Sequence, residues 1–460
     1  MPLFPFTNFP TALLSSSPKN PDLCRRIPKA APMQYLQLLR QYPRHIGYGL
    51  LHYFFSGPGQ SFFIALYIPS FLATLDLMPV LDLGLALGLD LGGSHEPEHL
   101  AFDWLYAGAT LLSGLTLPWV GHWLDRLRLR YFSLALGLAY SLFCILIAFA
   151  GQPWMLFLAI FGLRLCGQGL MGLTASTATA RFFEEGRGQA LSLVSFGVSI
   201  AEIVLPLLVV ALLRGISWQT SWLLIAASLL LVFIPLVIWL IPLDSPFQLP
   251  GTAEIQTAAG PVSVSRGQVL RRPSFYLLTS VYLFVPFFIT GIVINKDLLG
   301  AANGWSSDWL AVGLSLFGAT RLLANLFSGP LIDAFGATRV FSFMLIPQLL
   351  AVLVLALSNH PMAMIAFFLL SGVSASLNGL ASTATWAELY GPRHLGAIRS
   401  MISTFMVFST AVAPILLGWA LSRPGQEAAT MLTAAAVIGL LTALAFWQTR
   451  RLRLIHPQRS

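Results

Sequence analysis

Gly121-His122-Trp123-Leu124-Asp125-Arg126-Leu127-Arg128-Leu129-Arg130 lies between two long apolar runs, and a weaker copy of it stands further along the chain. That copy reads Gly329-Pro330-Leu331-Ile332-Asp333-Ala334-Phe335-Gly336-Ala337-Thr338-Arg339. Gly121 to Gly329 and Asp125 to Asp333 share one offset of 208 positions. Downstream, Ala175-Ser176-Thr177-Ala178-Thr179 returns as Ala381-Ser382-Thr383-Ala384-Thr385 at an offset of 206, and Arg187 and Arg393 keep that spacing. Two echoes at nearly one offset mean a duplicated half. Each half carries about six apolar spans, so the duplication reads as six plus six.

The composition agrees with this reading. The chain is 56% hydrophobic and 10% charged, where a soluble domain is roughly a quarter charged. Its apolar residues fall in runs of about 20, the length that crosses a bilayer core as helix. Hydropathy and its polar breaks place the spans near 46–74, 101–121, 131–151, 154–180, 189–213, 218–242, 274–299, 307–330, 338–358, 361–386, 396–421 and 427–449. The parts are then a tail (1–45), a six-helix bundle (46–242), a linker (243–273), a second bundle (274–449) and a short tail (450–460). Residues 1–32 read as a disordered tail or an over-extended start, because their prolines oppose a continuous helix. The loop 75–100 has no Lys or Arg and reads as carrying a short helix outside the membrane.

Counting Lys and Arg by side sets the orientation. With both termini in the cytoplasm, 21 fall on the cytoplasmic side and 3 on the other, Arg214, Lys296 and Arg423. That is a positive-inside bias, and it assigns the net charge of +8 to membrane topology instead of nucleic acid. Cys24, Cys144 and Cys166 form no CxxC pair or metal-ligand cluster. No phosphate-cradling loop appears, and no nucleophile–base arrangement emerges. Neither a metal, a cofactor, ATP drive nor an enzymatic reaction is expected.

The Gly-x-x-x-Asp-Arg-x-x-x-Arg motif between the second and third spans, with its degenerate copy between the eighth and ninth, resembles the major facilitator superfamily of secondary transporters. The resemblance covers residues 45 to 450. It implies an all-α membrane protein with twelve transmembrane helices in two six-helix pseudo-repeats, working by alternating access. It also implies a gate: Asp125 bonds to a facing helix end and basic partners in one state and releases them on rocking. Gly121, Asp125, Arg126, Arg130, Gly329 and Asp333 carry that reading, against a plain positive-inside anchor, which is the reading for Arg128.

Two arginines stand inside spans. An arginine at a helix centre costs roughly 2.5–3.5 kcal/mol on translocon scales, so such a residue usually faces a cavity and has a task. Arg321, Asn325, Gly329 and Asp333 share an i, i+4 row of the eighth span. Arg321 is read as binding an anionic substrate, since its fork suits a carboxylate; the alternative is a structural pair with a buried acid. Arg164, Gln168, Gly172 and Ser176 form a second such row in the fourth span. They resemble the family's pattern of Arg followed by Gln-Gly, with Gln168-Gly169 one residue later than usual. Arg164 is read as a second anion ligand or proton-relay partner, or as a structural partner for Glu202.

Glu202 is the acid placed deep in the fifth span. Burial raises a carboxyl pKa and a nearby arginine lowers it, so a carboxyl balanced between the two can load and release a proton; the alternative is a permanent pair with Arg164. In the first span His52, Ser56 and Gln60 share a face, and Gly57-Pro58-Gly59 loosen the helix. Gln60 is read as a substrate contact or an interhelical hydrogen bond, and His52 as a satisfied interior histidine. Ser371, Ser374, Asn378 and Ser382 of the tenth span fit close helix packing. Pro206 and Pro414, also 208 apart, suggest matched kinks.

The narrower resemblance, carried by the arginine of the eighth span and the acid of the fifth, is to bacterial members near the monocarboxylate and oxalate/formate groups. The expected function is proton-coupled symport of a small organic anion by a monomer in the bacterial inner membrane. Efflux of drug-like or amphipathic compounds is the alternative, although the Gly-Pro pattern of drug exporters is missing from the fifth span. A non-transporting receptor or scaffold comes last.

Overall fold

The computed structural model describes residues 33–86, 97–183, 187–241, 266–390, 395–423 and 425–455, and every regular element among them is helical. Expectations about residues 1–32, most of the linker 243–273 and the last residues of the chain lie outside this range. Eleven of the described helices are long and apolar enough to cross a membrane. In a bilayer each backbone group must be satisfied within the protein, which selects helices for such runs.

The eleven match the expected spans from second to twelfth: Pro97–Gly121, Leu129–Ala148, the fourth running from Pro153 to Phe182, Arg187–Leu213, the sixth from Trp218 to Leu240, Pro273–Ile294, Ser307–Phe335, the ninth from Ala337 to Leu357, Pro361–Tyr390, Leu395–Leu421 and Glu427–Ile455. Several begin on proline, whose missing N–H costs nothing in a first turn. Ser217 and Ser306 cap two others, accepting from the backbone N–H groups of Thr220 and Trp309 at 3.2 and 3.3 Å. Trp119, Trp123, Trp154, Trp239 and Trp447 remain exposed near helix ends, where aromatic rings belong in a membrane interface. Arg44 and Arg451 lie over the Trp239 and Trp447 rings.

Three elements differ from expectation. The first span is not one helix: it breaks into Pro43–Phe55, a 3₁₀ turn Gly57–Gly59, Ser61–Ile64 and Ile68–Thr74. Pro58 withholds a backbone donor inside the run and the flanking glycines remove the side chains that would enforce a helix. The seventh span stops at Ile294 and restarts as Lys296–Asn303, and Lys296, counted on the arginine-poor side, is buried with its Nζ 2.7 Å from Asp297. The eighth span runs on through Gly329 and Asp333 to Phe335. It ends at Gly336, whose φ of 82° belongs to the left-handed region that glycine enters freely. The loop after the first span does carry a helix, Met78–Ala86.

The two bundles meet along the fifth and eighth spans and along the second and eleventh. Toward the arginine-poor end, Arg214 forms an ion pair with Asp308. Asp103 of the second span there lies against Asn295 and Gly418.

Candidate functional site

Glu202 and Arg321 come from different bundles and meet. Arg321 Nη1 donates to Glu202 Oε1 at 2.5 Å, with side-chain exposures of 30% for the arginine and 7% for the glutamate. Gly318, one turn before Arg321, makes the approach possible: a Cβ there would lie 2.6 Å from Glu202 Cβ. The sequence analysis offered Arg164 as the arginine that could pair with Glu202, and the partner is Arg321. The Arg321 side chain remains partly exposed while it holds the acid.

Arg164 occupies a different environment. It is 1% exposed, and its Nη1 donates to Gly59 O and Ser61 Oγ, each at 3.2 Å. Its guanidinium carbon stands 5.2 Å from the centre of the Tyr106 ring. It therefore holds the broken first span against the fourth. The fourth span is itself irregular from Arg164 to Met171, where it is a π-helix. A π segment takes i→i+5 hydrogen bonds and absorbs an extra residue. That corrects the expected i, i+4 row: Arg164 is buried while Gln168 is half-buried, because four residues fall short of a full turn in such a helix. The Gln168-Gly169 pair lies within this π segment. Gly59 and Gly167 pack backbone to backbone, and a Cβ on Gly167 would lie 2.7 Å from the Gly59 Cα.

The other candidates fall in different places. Gln60 follows the break, half-buried, with its Nε2 3.5 Å from Ser56 Oγ. Asn325, one turn along the helix from Arg321, is engaged by the tenth span: its Oδ1 accepts from Ser376 Oγ at 2.7 Å. His52 is buried and satisfied: Nδ1 donates to Tyr48 O at 2.9 Å, and Ser133 Oγ lies 3.0 Å from Nε2. Ser374 donates to Met344 O at 2.9 Å, as packing requires.

The opening motif forms a turn. After Gly121 comes the short helix Trp123–Arg126, and the third span starts at Leu129. Arg130 Nη1 donates to Ile241 O at 3.3 Å, at the end of the sixth span. Arg126 is exposed, and the side chains of Asp125 and Asp333 lie outside those described. In the second half, Glu388 Oε1 accepts from Ala337 N at 3.3 Å and so caps the ninth span from the tenth.

The family model of the Major Facilitator Superfamily matches residues 50–316 and 287–459. The chain belongs to this superfamily. It is a multi-pass membrane transporter of a small molecule, and the family is not enzymatic. A curated relative, the MFS transporter asaE of Aspergillus flavus, is 24% identical over 373 residues, covering 78% of this chain and 80% of the relative. Among solved structures, a bacterial homolog of the human lysosomal transporter Spinster, inward-facing and occupied, matches at a TM-score of 0.62 and 13% identity over 90% of this chain and 97% of that one. The nucleoside transporter NupG matches at 0.65 and 10% identity, over 88% and 99%. At these identities the solved structures bear on the fold alone.

Residues that sequence reasoning passed over include Asp103, Ser61 and Tyr106. Asp103 stands only two residues inside the expected second span, which reads as a membrane edge until the helix is seen to begin at Pro97.

Proposed function

We propose that this superfamily member moves a small organic anion together with protons, with Arg321 as the anion-binding side chain and Glu202 as the proton-carrying carboxyl. The single observation behind this reading is the 2.5 Å pair between bundles, whose arginine stays 30% exposed. A carboxylate on Glu202 occupies the guanidinium, and protonation removes its charge and releases Arg321. The freed fork then suits a substrate carboxylate in a bidentate pair. Proton and anion are thereby linked, since the substrate takes the place that the deprotonated acid would hold. Half-buried Gln60 and Gln168 are assigned to the cavity wall and Asn325 to the helix packing that holds Arg321's span. Arg164 is assigned to structure.

With the arginine-rich end in the cytoplasm, both termini face inward, in a bacterial inner membrane, and one chain suffices. The Arg214–Asp308 pair then closes the outer end and the cavity opens inward. The turn at Gly121, Asp125, Arg126 and Arg130 and its counterpart at Gly329 and Asp333 form the inner gate. The narrower kinship proposed is with the monocarboxylate and oxalate/formate groups.

The test is reconstitution in liposomes with a panel of mono- and dicarboxylates, recording internal pH and substrate-triggered currents. One acid gives a pH-dependent signal, and Arg321→Ala reduces it by at least about tenfold, the equivalent of one charge-assisted hydrogen bond. Silence toward every carboxylate with a response to lipophilic amines would replace this reading with efflux.

A further inference from the structure

Asp103 is an acid that the Arg321–Glu202 reading does not use. It is 1% exposed and lies in the seam where the second span meets the eleventh. Both of its carboxyl oxygens and the Oδ1 of the fully buried Asn295 are buried without a hydrogen-bond partner, and Asp103 Oδ2 and Asn295 Oδ1 border the same space beside Gly418. The orientation of Asn295 is set by the backbone. Its Nδ2 donates to Gly291 O at 3.1 Å and to Pro414 O at 3.0 Å, so both amide hydrogens are taken. Turning the amide over would set its oxygen against two carbonyls. Asn295 therefore presents Oδ1, an acceptor, to a carboxyl group. The two oxygens face one another across Gly418, where a Cβ would fall 2.9 Å from Asn295 Oδ1 and onto Asp103 Oδ2.

An ionised carboxylate has only acceptors and cannot bond to another acceptor. A carboxylic acid has one O–H and can. No charged group of the surrounding described elements bonds to Asp103. Lys296 holds Asp297, Arg164 holds Gly59 and Ser61 and lies over Tyr106 one turn along the same helix, and Arg423 lies over Trp419. His99, one turn toward the helix start, has contacts of its own.

We propose that Asp103 is a proton-binding site of the closed seam, its O–H donating to Asn295 Oδ1, and that loss of this proton opens the arginine-poor end. Deprotonation leaves a charge facing an oxygen in a seam closed to water, and parting the two bundles relieves it. With that end outward, a proton taken up from outside closes the outer gate. The inference does not depend on what Arg321 binds.

The test uses the full-length protein in lipid nanodiscs and needs no substrate. Infrared spectra at neutral pH show a protonated carboxyl C=O band that Asp103→Asn removes and Glu202→Gln retains. Asn295→Ala leaves the carboxyl in place and moves the band to higher frequency, because the accepting oxygen is gone; this arm stands even if Asp103→Asn folds poorly. Nitroxide labels at Gly215→Cys and Ala302→Cys report the separation of the bundles at this end. The distance lengthens as pH rises in the parent and stays short at every pH in Asp103→Asn. An infrared band indifferent to Asp103→Asn and Asn295→Ala, or a pH-dependent opening that survives Asp103→Asn, overturns the proposal.

Discussion

The two halves are copies in sequence and differ in backbone. In the first half, the first span breaks at Gly57–Gly59 and the fourth is a π-helix from Arg164 to Met171. Of their counterparts in the duplication, the seventh span is regular from Pro273 to Ile294 and interrupted only near its end, at Asn295, and the tenth runs unbroken as Pro361–Tyr390. Each half also carries one arginine inside a span, in non-equivalent places. The tenth span has no Lys or Arg, and the 208-residue offset places Ser113 of the second span opposite Arg321. An irregular backbone in a membrane exposes carbonyls that something must satisfy. In the first half that is Arg164, through Gly59 O. In the second half the arginine makes no such repair and reaches across to Glu202. A charge of one type thus stabilises local structure in one bundle and links the two bundles in the other.

The most direct way to break this contrast is Arg164→Ala. It empties a large buried site, at a cost of about 2–5 kcal/mol by analogy with large-to-small core changes, and leaves Gly59 O without its donor. Thermal unfolding in detergent is expected to show the largest fall in Tm of the series. A variant as stable as the parent that had lost transport would make Arg164 a substrate ligand and erase the distinction. Gly167→Ala comes next. Its Cβ meets the Gly59 backbone, and overpacking of this kind costs about 1–3 kcal/mol.

Arg321→Ala is expected to destabilise less than the roughly 3–5 kcal/mol of breaking a fully buried pair, because its guanidinium is partly exposed. The contrast is sharpened by adding Glu202→Gln to it. Once the acid is neutral, the double variant should recover most of the lost Tm and none of the transport. Additive losses of Tm would mean the two side chains are not coupled. Asp308→Asn is the smallest change. Both partners in its pair with Arg214 are mostly exposed, so stability should move by about 0–1 kcal/mol, while labels across that end report any shift toward opening.

How much of the site could be read beforehand depended on what each residue needs. Arg321, Arg164 and Glu202 were legible because a charge inside an apolar run is conspicuous. Their pairing was not, since the side chains lie far apart in sequence and nothing local says which acid meets which arginine. The Gln168-Gly169 pair lies within the π segment, but a spacing of one residue does not say whether the helix bulges or the face turns. The partner of Asn325, Ser376, was hidden for the same reason: a shared row fixes which residues lie together on a helix and leaves open which neighbour that row meets. Asp103 was missed because hydropathy places helix ends only to within a few residues, and those few separate a solvated acid from a buried one.

By itself the sequence determined the superfamily, the duplicated six-plus-six order, the run lengths and the arginine bias between the two sides, because each follows from local hydrophobicity or from a repeated motif. Only the tertiary structure decided that Arg321 takes Glu202, that Arg164 binds the broken first span, and that Asp103 faces an amide oxygen. Those outcomes depend on helix rotation and close approach, at Gly318 against Glu202 and Gly167 against Gly59. Packing between distant segments sets such contacts, and no stretch of chain encodes them alone.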